Sequence, residues 1–261
     1  QNGVAYLACG FGVVELQISR NEFGFTSFTG TPVYETVLYK NKLYAGTEIG
    51  LYSIENDKTK FNPSDFGQWS FNPLFNADPI TALQVFDALL YVGSEKSIFR
   101  YDGAAKTELY KESSGTHSIL YLSANTNLLL AGYACTNDCD GKLYSIDKNN
   151  AVKALNSSCV PRPIYGIVDE KNRGWFADRF QAFRSNNKIT DECGFKYFNT
   201  PLSPFSTDII TKGDDVFIAS GGINASNSYL LRGDGFFGLR NGIWRFYNRG
   251  NQPVMAQADL L

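Results

Sequence analysis

The chain has 261 residues, 43% of them hydrophobic, with 24 basic and 26 acidic side chains. That apolar content builds a substantial core and excludes a disordered chain. The near balance of charge, with no stretch concentrating Lys and Arg, argues against nucleic acid as a partner, and no apolar run approaches the roughly 20 residues of a membrane-crossing helix.

Twenty Phe, 15 Tyr and 3 Trp against a single Met favour strands, because flat and branched side chains pack well on pleated surfaces. In chain order, six segments share one pattern of turn, apolar strand ending in small residues, short break and second strand. They are VAYLACGFGVVELQI, KLYAGTEIGLYSI, LLYVGSEKSIFRYD, LLLAGYACTNDCDGKLYSID, RGWFADRFQAFRSN and DVFIASGG with its longer continuation. Their central residues Leu7, Tyr44, Tyr91, Leu130, Phe176 and Ile218 lie 37, 47, 39, 46 and 42 residues apart. Propeller blades have this period, about 40 to 50 residues.

Each segment is preceded by a tight-turn pair: Asn2-Gly3, Lys40-Asn41, Phe86-Asp87, Thr126-Asn127, Lys171-Asn172 and Gly213-Asp214. Ahead of five of these turns lies a further apolar stretch, the innermost strand of its unit, at 33–38, 80–86, 118–122, 164–168 and 208–211. Behind the segments follow FTSFTG, GQWSFN, TELYKE, AVKALN, FKYFN and GIWRFYN as fourth strands. Four strands per period make one blade. The expectation is an all-β chain, a β-propeller with six four-stranded blade repeats in one region over residues 1–261. The first unit has no innermost strand before it, and the chain closes on Ala258–Leu261, which resembles the start of one. Either that stub completes the first blade, or the chain is a fragment of a larger, seven-bladed or double, propeller protein. The abrupt start at Gln1 and the short stub favour the fragment.

The segments AYLACGFGVVELQI, KLYAGTEIGLYSI, SDFGQW and DDVFIASGGINASNSYLLRGDGFFGLRNGIWRFYN together resemble the PorZ family, propeller proteins of the type nine secretion system of Bacteroidetes. The resemblance runs through the chain in blade order and is sharpest at Ala5–Leu16, Leu43–Ile54 and Asp215–Tyr247. It implies further blades on both sides, a second propeller and a C-terminal sorting domain. It also implies a cell-surface, outer-membrane-associated place in an attachment complex that joins secreted cargo to lipopolysaccharide. The expected partners are other secretion-system proteins, with lipopolysaccharide or another glycan. Because the sortase of such complexes is a separate subunit, the propeller need not be an enzyme. The same blade pattern also resembles the periplasmic sensor propellers of hybrid two-component regulators, which recognise oligosaccharides.

Residue chemistry gives no reason to expect catalysis, a resident metal or a cofactor. The only histidine, His117, has no nucleophile-elbow pattern near it, and reads as a hydrogen-bonded residue at a strand edge. Asp138, Asp140 and Gly141 fall short of a calcium loop, which needs more oxygen ligands and a distal Glu. Trp69, Trp175 and Trp244 read as packing between blades. Of the five cysteines, Cys135 and Cys139 bracket a polar loop that suits a small disulfide, and Cys9 is the choice for the free one. That loop, Cys159 and Cys193 do not map onto the family pattern. Asn156-Ser157-Ser158 and Asn224-Ala225-Ser226 match the glycosylation acceptor and are assigned no role. Gly221–Gly235 is longer and more polar than an ordinary hairpin, so Asn224, Asn227, Tyr229, Arg232 and Asp234 form the expected contact loop.

Overall fold

Turn chemistry sets the strand pairs. Lys40 and Asn41 (φ 45° and 60°) and Asp87 and Ala88 (φ 48° and 62°) take the left-handed backbone that matches the twist of a two-residue hairpin. Ala88 does so against the steric preference of its Cβ. Ala88→Gly is therefore expected to raise stability by about 0.5–1 kcal/mol, read as a shift in the urea midpoint at constant m-value.

The computed structural model describes residues 3–137, 139–179, 182–195, 199, 206–230, 232–253 and 255. Its 23 described strands form six antiparallel sheets in chain order. The first sheet holds β1 (Val4–Cys9), β2 (Gly12–Gln17) and β3 (Glu22–Phe28). The second holds β4 (Val33–Tyr39), β5 (Lys42–Thr47), β6 (Gly50–Glu55) and β7 (Ser70–Phe71). The third holds β8 (Ile80–Phe86), β9 (Leu89–Ser94), β10 (Ser97–Tyr101) and β11 (Lys106–Lys111). The fourth holds β12 (His117–Ala124), β13 (Leu128–Cys135), β14 (Lys142–Asp147) and β15 (Val152–Ala154). The fifth holds β16 (Pro163–Val168), β17 (Gly174–Asp178), β18 (Ala182–Ser185) and β19 (Gly194–Phe195). The sixth holds β20 (Asp208–Lys212), β21 (Asp215–Ala219), β22 (Phe236–Arg240) and β23 (Ile243–Tyr247).

Each sheet is a meander whose strands pair only with their chain neighbours. Leu7, Tyr44, Tyr91, Leu130, Phe176 and Ile218 fall on β1, β5, β9, β13, β17 and β21, the corresponding strand of every sheet. Five sheets have four strands; the first has three, matching a first repeat with no innermost strand ahead of it. Ala258–Leu261 lie outside the described residues, as does part of FKYFN.

The chain divides into two compact units, Gln1–Lys196 with the first five sheets and Tyr197–Leu261 with the sixth. In the first unit the core lies between successive sheets. Val13, Val33, Leu43, Ile54 and Trp69 join the first two sheets, and Tyr44, Leu51, Phe75, Ile80 and Val92 join the second to the third. Tyr91, Ile98, Ile119, Leu129 and Tyr133 join the third to the fourth. Tyr121, Leu130, Val160 and Phe176 join the fourth to the fifth.

Two glycines near the ends of the second strands let the next sheet approach. A Cβ on Gly46 would stand 2.7 Å from the Ile80 carbonyl oxygen, and one on Gly93 would stand 2.8 Å from Ile119 Cδ1. Side chains also tie neighbouring sheets through backbone carbonyls: Thr36 Oγ1 donates to Tyr6 O (2.9 Å), Thr81 Oγ1 to Ile119 O (3.0 Å) and Ser123 Oγ to Gly166 O (2.6 Å). Ser123 is buried. Ser123→Ala is expected to cost about 1 kcal/mol by leaving that carbonyl without its donor, measurable by urea unfolding.

Candidate functional site

The innermost strands β4, β8, β12 and β16 share a feature that no periodicity announced. Each has a β-bulge in its first half, between Val33 and Glu35, Ile80 and Ala82, Ile119 and Tyr121, and Pro163 and Tyr165. A bulge inserts an unpaired residue and re-aims its side chain. The inserted residues are Tyr34, Thr81, Leu120 and Ile164; Thr81 serves the inter-sheet bond above, whereas Tyr34, Leu120 and Ile164 are 44%, 37% and 52% exposed. Large side chains are thus presented in the first halves of innermost strands.

Next to Leu120 and Ile164 opens a cleft of about 350 Å³ between the fourth and fifth sheets, lined also by Cys135, Cys139, Arg162 and Arg179. Its wall is built by three chain segments: the first half of β12 with the end of β13 (His117↔Cys135), Cys139 in the loop ahead of β14, and the start of β16 with the end of β17 (Pro163↔Asp178). Arg162 Nη1 donates to Cys139 O (2.8 Å) and Pro161 O (2.9 Å), and the Arg162 backbone N–H donates to Asp178 Oδ2 (2.6 Å). Arg179 is exposed. The cleft therefore combines an apolar floor with guanidinium groups, suited to an extended or anionic partner group.

His117 is buried in the same wall. Its Nε2 lies 2.9 Å from Asp140 O, an atom that can only accept, so Nε2 carries the proton. Nδ1 then accepts from Ser114 Oγ (2.8 Å) or Thr116 Oγ1 (3.1 Å). A serine does sit beside a histidine here, but a neutral carbonyl takes the place of the carboxylate that would stabilise an imidazolium. The arrangement holds the imidazole in place through hydrogen bonds at both ring nitrogens. Asp138 lies outside the described residues. Asp140 Oδ1 faces Arg162 at 3.5 Å, and a Cβ on Gly141 would stand 2.6 Å from Val160 O, so Gly141 serves close packing.

The structure bonds Cys135 to Cys139 and Cys159 to Cys193, and leaves Cys9 as a thiol. Below the site, the Glu112 carboxylate is buried and accepts from Lys142 Nζ (2.8 Å), Tyr144 OH (2.5 Å), Ser114 N (2.9 Å) and Tyr110 OH (3.1 Å). Burial pushes its pKa up, but these four donors outweigh burial and hold it at about 2. On β4, burial holds the Glu35 carboxyl above the usual range.

The tryptophans pack and bond within the sheets: Trp69 Nε1 donates to Pro63 O (3.1 Å), and Trp175 Nε1 to Asp169 Oδ2 (3.0 Å), with the Arg173 guanidinium over the Trp175 ring. Asn199 binds the Trp244 backbone N–H. Asn156 caps the short turn at Ser157–Cys159 through Ser158 N.

In the second unit, the expected contact loop joins β21 to β22 and carries one bridge, Ile223↔Tyr229. Asn224 Oδ1 accepts from Ser226 N and Ser228 N, and Asn227 takes φ 57°. Tyr229 is 61% exposed, whereas Arg232 and Asp234 are half-buried. The structure thus places these residues on one self-capped hairpin loop. In the first unit, a second concavity, of about 590 Å³, lies at Glu15, Phe25, Lys58, Phe61, Asn62 and Gln68, with the buried Glu15 carboxylate paired to Lys58.

Successive antiparallel meanders, in the first unit each packed against the next, define a β-propeller. Residues 1–70 of the chain match the family described as the N-terminal β-propeller domain of PorZ of the type nine secretion system. Among curated proteins none matches. Among solved structures, PorZ of Porphyromonas gingivalis, an essential surface component of its type nine secretion system, aligns with 95% of this chain at 17% identity and a TM-score of 0.60. The extracellular domain of the one-component system BT4673 from B. thetaiotaomicron aligns with 96% at 17% identity and a TM-score of 0.50. YCF48 bound to D1 peptide aligns with 94% at 12% identity and 0.54, over 79% of its own length. The chain spans about a third of the first two, 32% and 34%. At these identities the likenesses establish fold. Among the described residues no helix is long and apolar enough to cross a membrane.

Proposed function

We propose that this chain is part of a non-catalytic, cell-surface scaffold of a type nine secretion attachment complex, docking partner proteins or lipopolysaccharide through the bulged edge of its innermost strands. The observation that carries the reading is the match of residues 1–70 to the PorZ propeller family. The outward Tyr34, Leu120 and Ile164, beside the arginine-bearing cleft, supply an apolar rim and cationic groups for a partner. The loop Asn224–Asp234 is proposed as a second contact surface. Two disulfides suit an oxidising compartment.

The test is co-purification of the full-length protein from an outer-membrane extract. The expected result is recovery with secretion-system subunits, reduced at least tenfold by Leu120→Asp with Ile164→Asp. A partner-free, monodisperse monomer would overturn the reading. The competing reading, an oligosaccharide sensor, is favoured by the fold shared with the BT4673 extracellular domain. It predicts saturable oligosaccharide binding by the isolated protein and no subunit recovery.

A further inference from the structure

The two disulfides differ in surroundings. Cys159 and Cys193 are buried, 1% and 8% exposed, inside the core between the fourth and fifth sheets. Cys135 and Cys139 are half-buried and line the cleft, so a small reagent can reach them. Two backbone N–H groups point at one of these sulfurs: Asn137 N lies 3.3 Å and Cys139 N 3.2 Å from Cys135 Sγ. Such donors stabilise a thiolate over a thiol. On the other side, His117 Nε2 lies 3.9 Å from Cys139 Sγ. The ligand atoms of His117, Cys135 and Cys139 all lie within 4.8 Å of one another. Tetrahedral zinc, with bonds of roughly 2.0–2.3 Å, asks for ligand separations of roughly 3.3–3.8 Å, so His117 Nε2 already stands near the required distance from Cys139 Sγ, and the two sulfurs, bonded to each other in the disulfide, must move apart on reduction.

We propose that Cys135–Cys139 is a redox-switchable pair which, once reduced, joins His117 in a one-nitrogen, two-sulfur site for a thiophilic divalent cation such as Zn²⁺. The reductant is a dithiol. Its thiolate attacks Cys139 Sγ, and the S–S bond breaks with its electron pair going to Cys135 Sγ, the sulfur that two N–H groups already face. The second thiol of the reductant then attacks the reductant's own sulfur in the mixed disulfide and expels Cys139 Sγ as a thiolate, which takes up a proton. The reductant leaves oxidised as its own disulfide, and the protein pair has gained two electrons and two protons. The cation displaces those protons as it binds both sulfurs.

His117 is built to follow. Coordination needs the Nε2 lone pair, so the imidazole proton must sit on Nδ1. The hydroxyls of Ser114 and Thr116 beside Nδ1 both donate and accept, and so hold either tautomer. The fourth position faces the cleft and takes water. Thiolates with imidazole select zinc over magnesium or calcium.

The experiment uses the whole chain. Alkylation and mass analysis should label Cys9 alone before treatment with a dithiol, and Cys9, Cys135 and Cys139 after it, with the Cys159–Cys193 bridge intact. Titration of the reduced chain with Cd²⁺ should then give an ultraviolet sulfur-to-metal charge-transfer band that saturates at one ion per chain and is absent before reduction. Cys139→Ser should abolish the band and Cys9→Ser should leave it unchanged. His117→Asn, checked for folding by circular dichroism, should weaken binding about 10- to 100-fold. Cys135→Ser supplies a second ligand test should His117→Asn not fold. No saturable band after reduction, equal binding without His117, a band lost with Cys9, or a pair that opens only together with Cys159–Cys193 would each overturn the proposal.

Discussion

Glu112→Gln is expected to lower the unfolding free energy by roughly 3 kcal/mol at neutral pH, with the difference from the parent chain vanishing in acid. Glu112 is 2% exposed, its bonds come from two sheets, and its carboxyl falls from 4.5 to about 2 in the folded chain. A shift of that size corresponds to roughly 3 kcal/mol, at about 1.4 kcal/mol per unit. Because the folded-state pKa is depressed, the contribution is present in full above about 4.5 and is lost as pH falls through about 2. In the variant the amide cannot accept from every former donor, so Tyr110, Tyr144 and Ser114 N compete for one oxygen. Lys142, 36% exposed, turns to water. Urea unfolding of both chains between pH 7 and pH 2 is the measurement. A difference that stays constant across that range would mean that packing, and not the charge, makes the contribution.

The blade repeat was legible because turns and second strands are governed locally. Lys40-Asn41 and Gly213-Asp214 announce backbone geometry through their own side chains or lack of one, and the run after Lys40-Asn41 is apolar because neighbouring sheets bury it. The bulges were not legible. When both faces of a strand are covered, its sequence is apolar without strict alternation, and an inserted Leu120 or Ile164 leaves no break in the pattern. Glu112 was equally silent: nothing in TELYKE says that its last residue meets Lys142 and Tyr144 of the next sheet, 30 and 32 residues away. His117 could be read as hydrogen-bonded, but its nearness to Cys139 depends on β12–β13 register, which places His117 opposite Cys135. The contact loop stood out by length and polarity, properties that mark exposure and identify no partner.

Removing the Cys159–Cys193 bridge as Cys159→Ala with Cys193→Ala is expected to cost about 3–4 kcal/mol, from the loop-closure entropy of a 34-residue separation in the chain-entropy treatment of crosslinks. The bridge ties the turn at Ser157–Cys159, which leads into β16, to the residue just before β19. It therefore fastens the short outer strand of the fifth sheet, β19 being two residues long, to the segment that enters that sheet. Cys159 also packs with Tyr121, Leu130 and Phe176, so the loss reaches the core shared with the fourth sheet. Cys135→Ala with Cys139→Ala opens a separation of only 4 residues and should cost distinctly less. Urea midpoints of the two double variants give the ordering directly. Equal costs, or the reverse order, would mean that contacts in the folded chain outweigh restriction of the unfolded one.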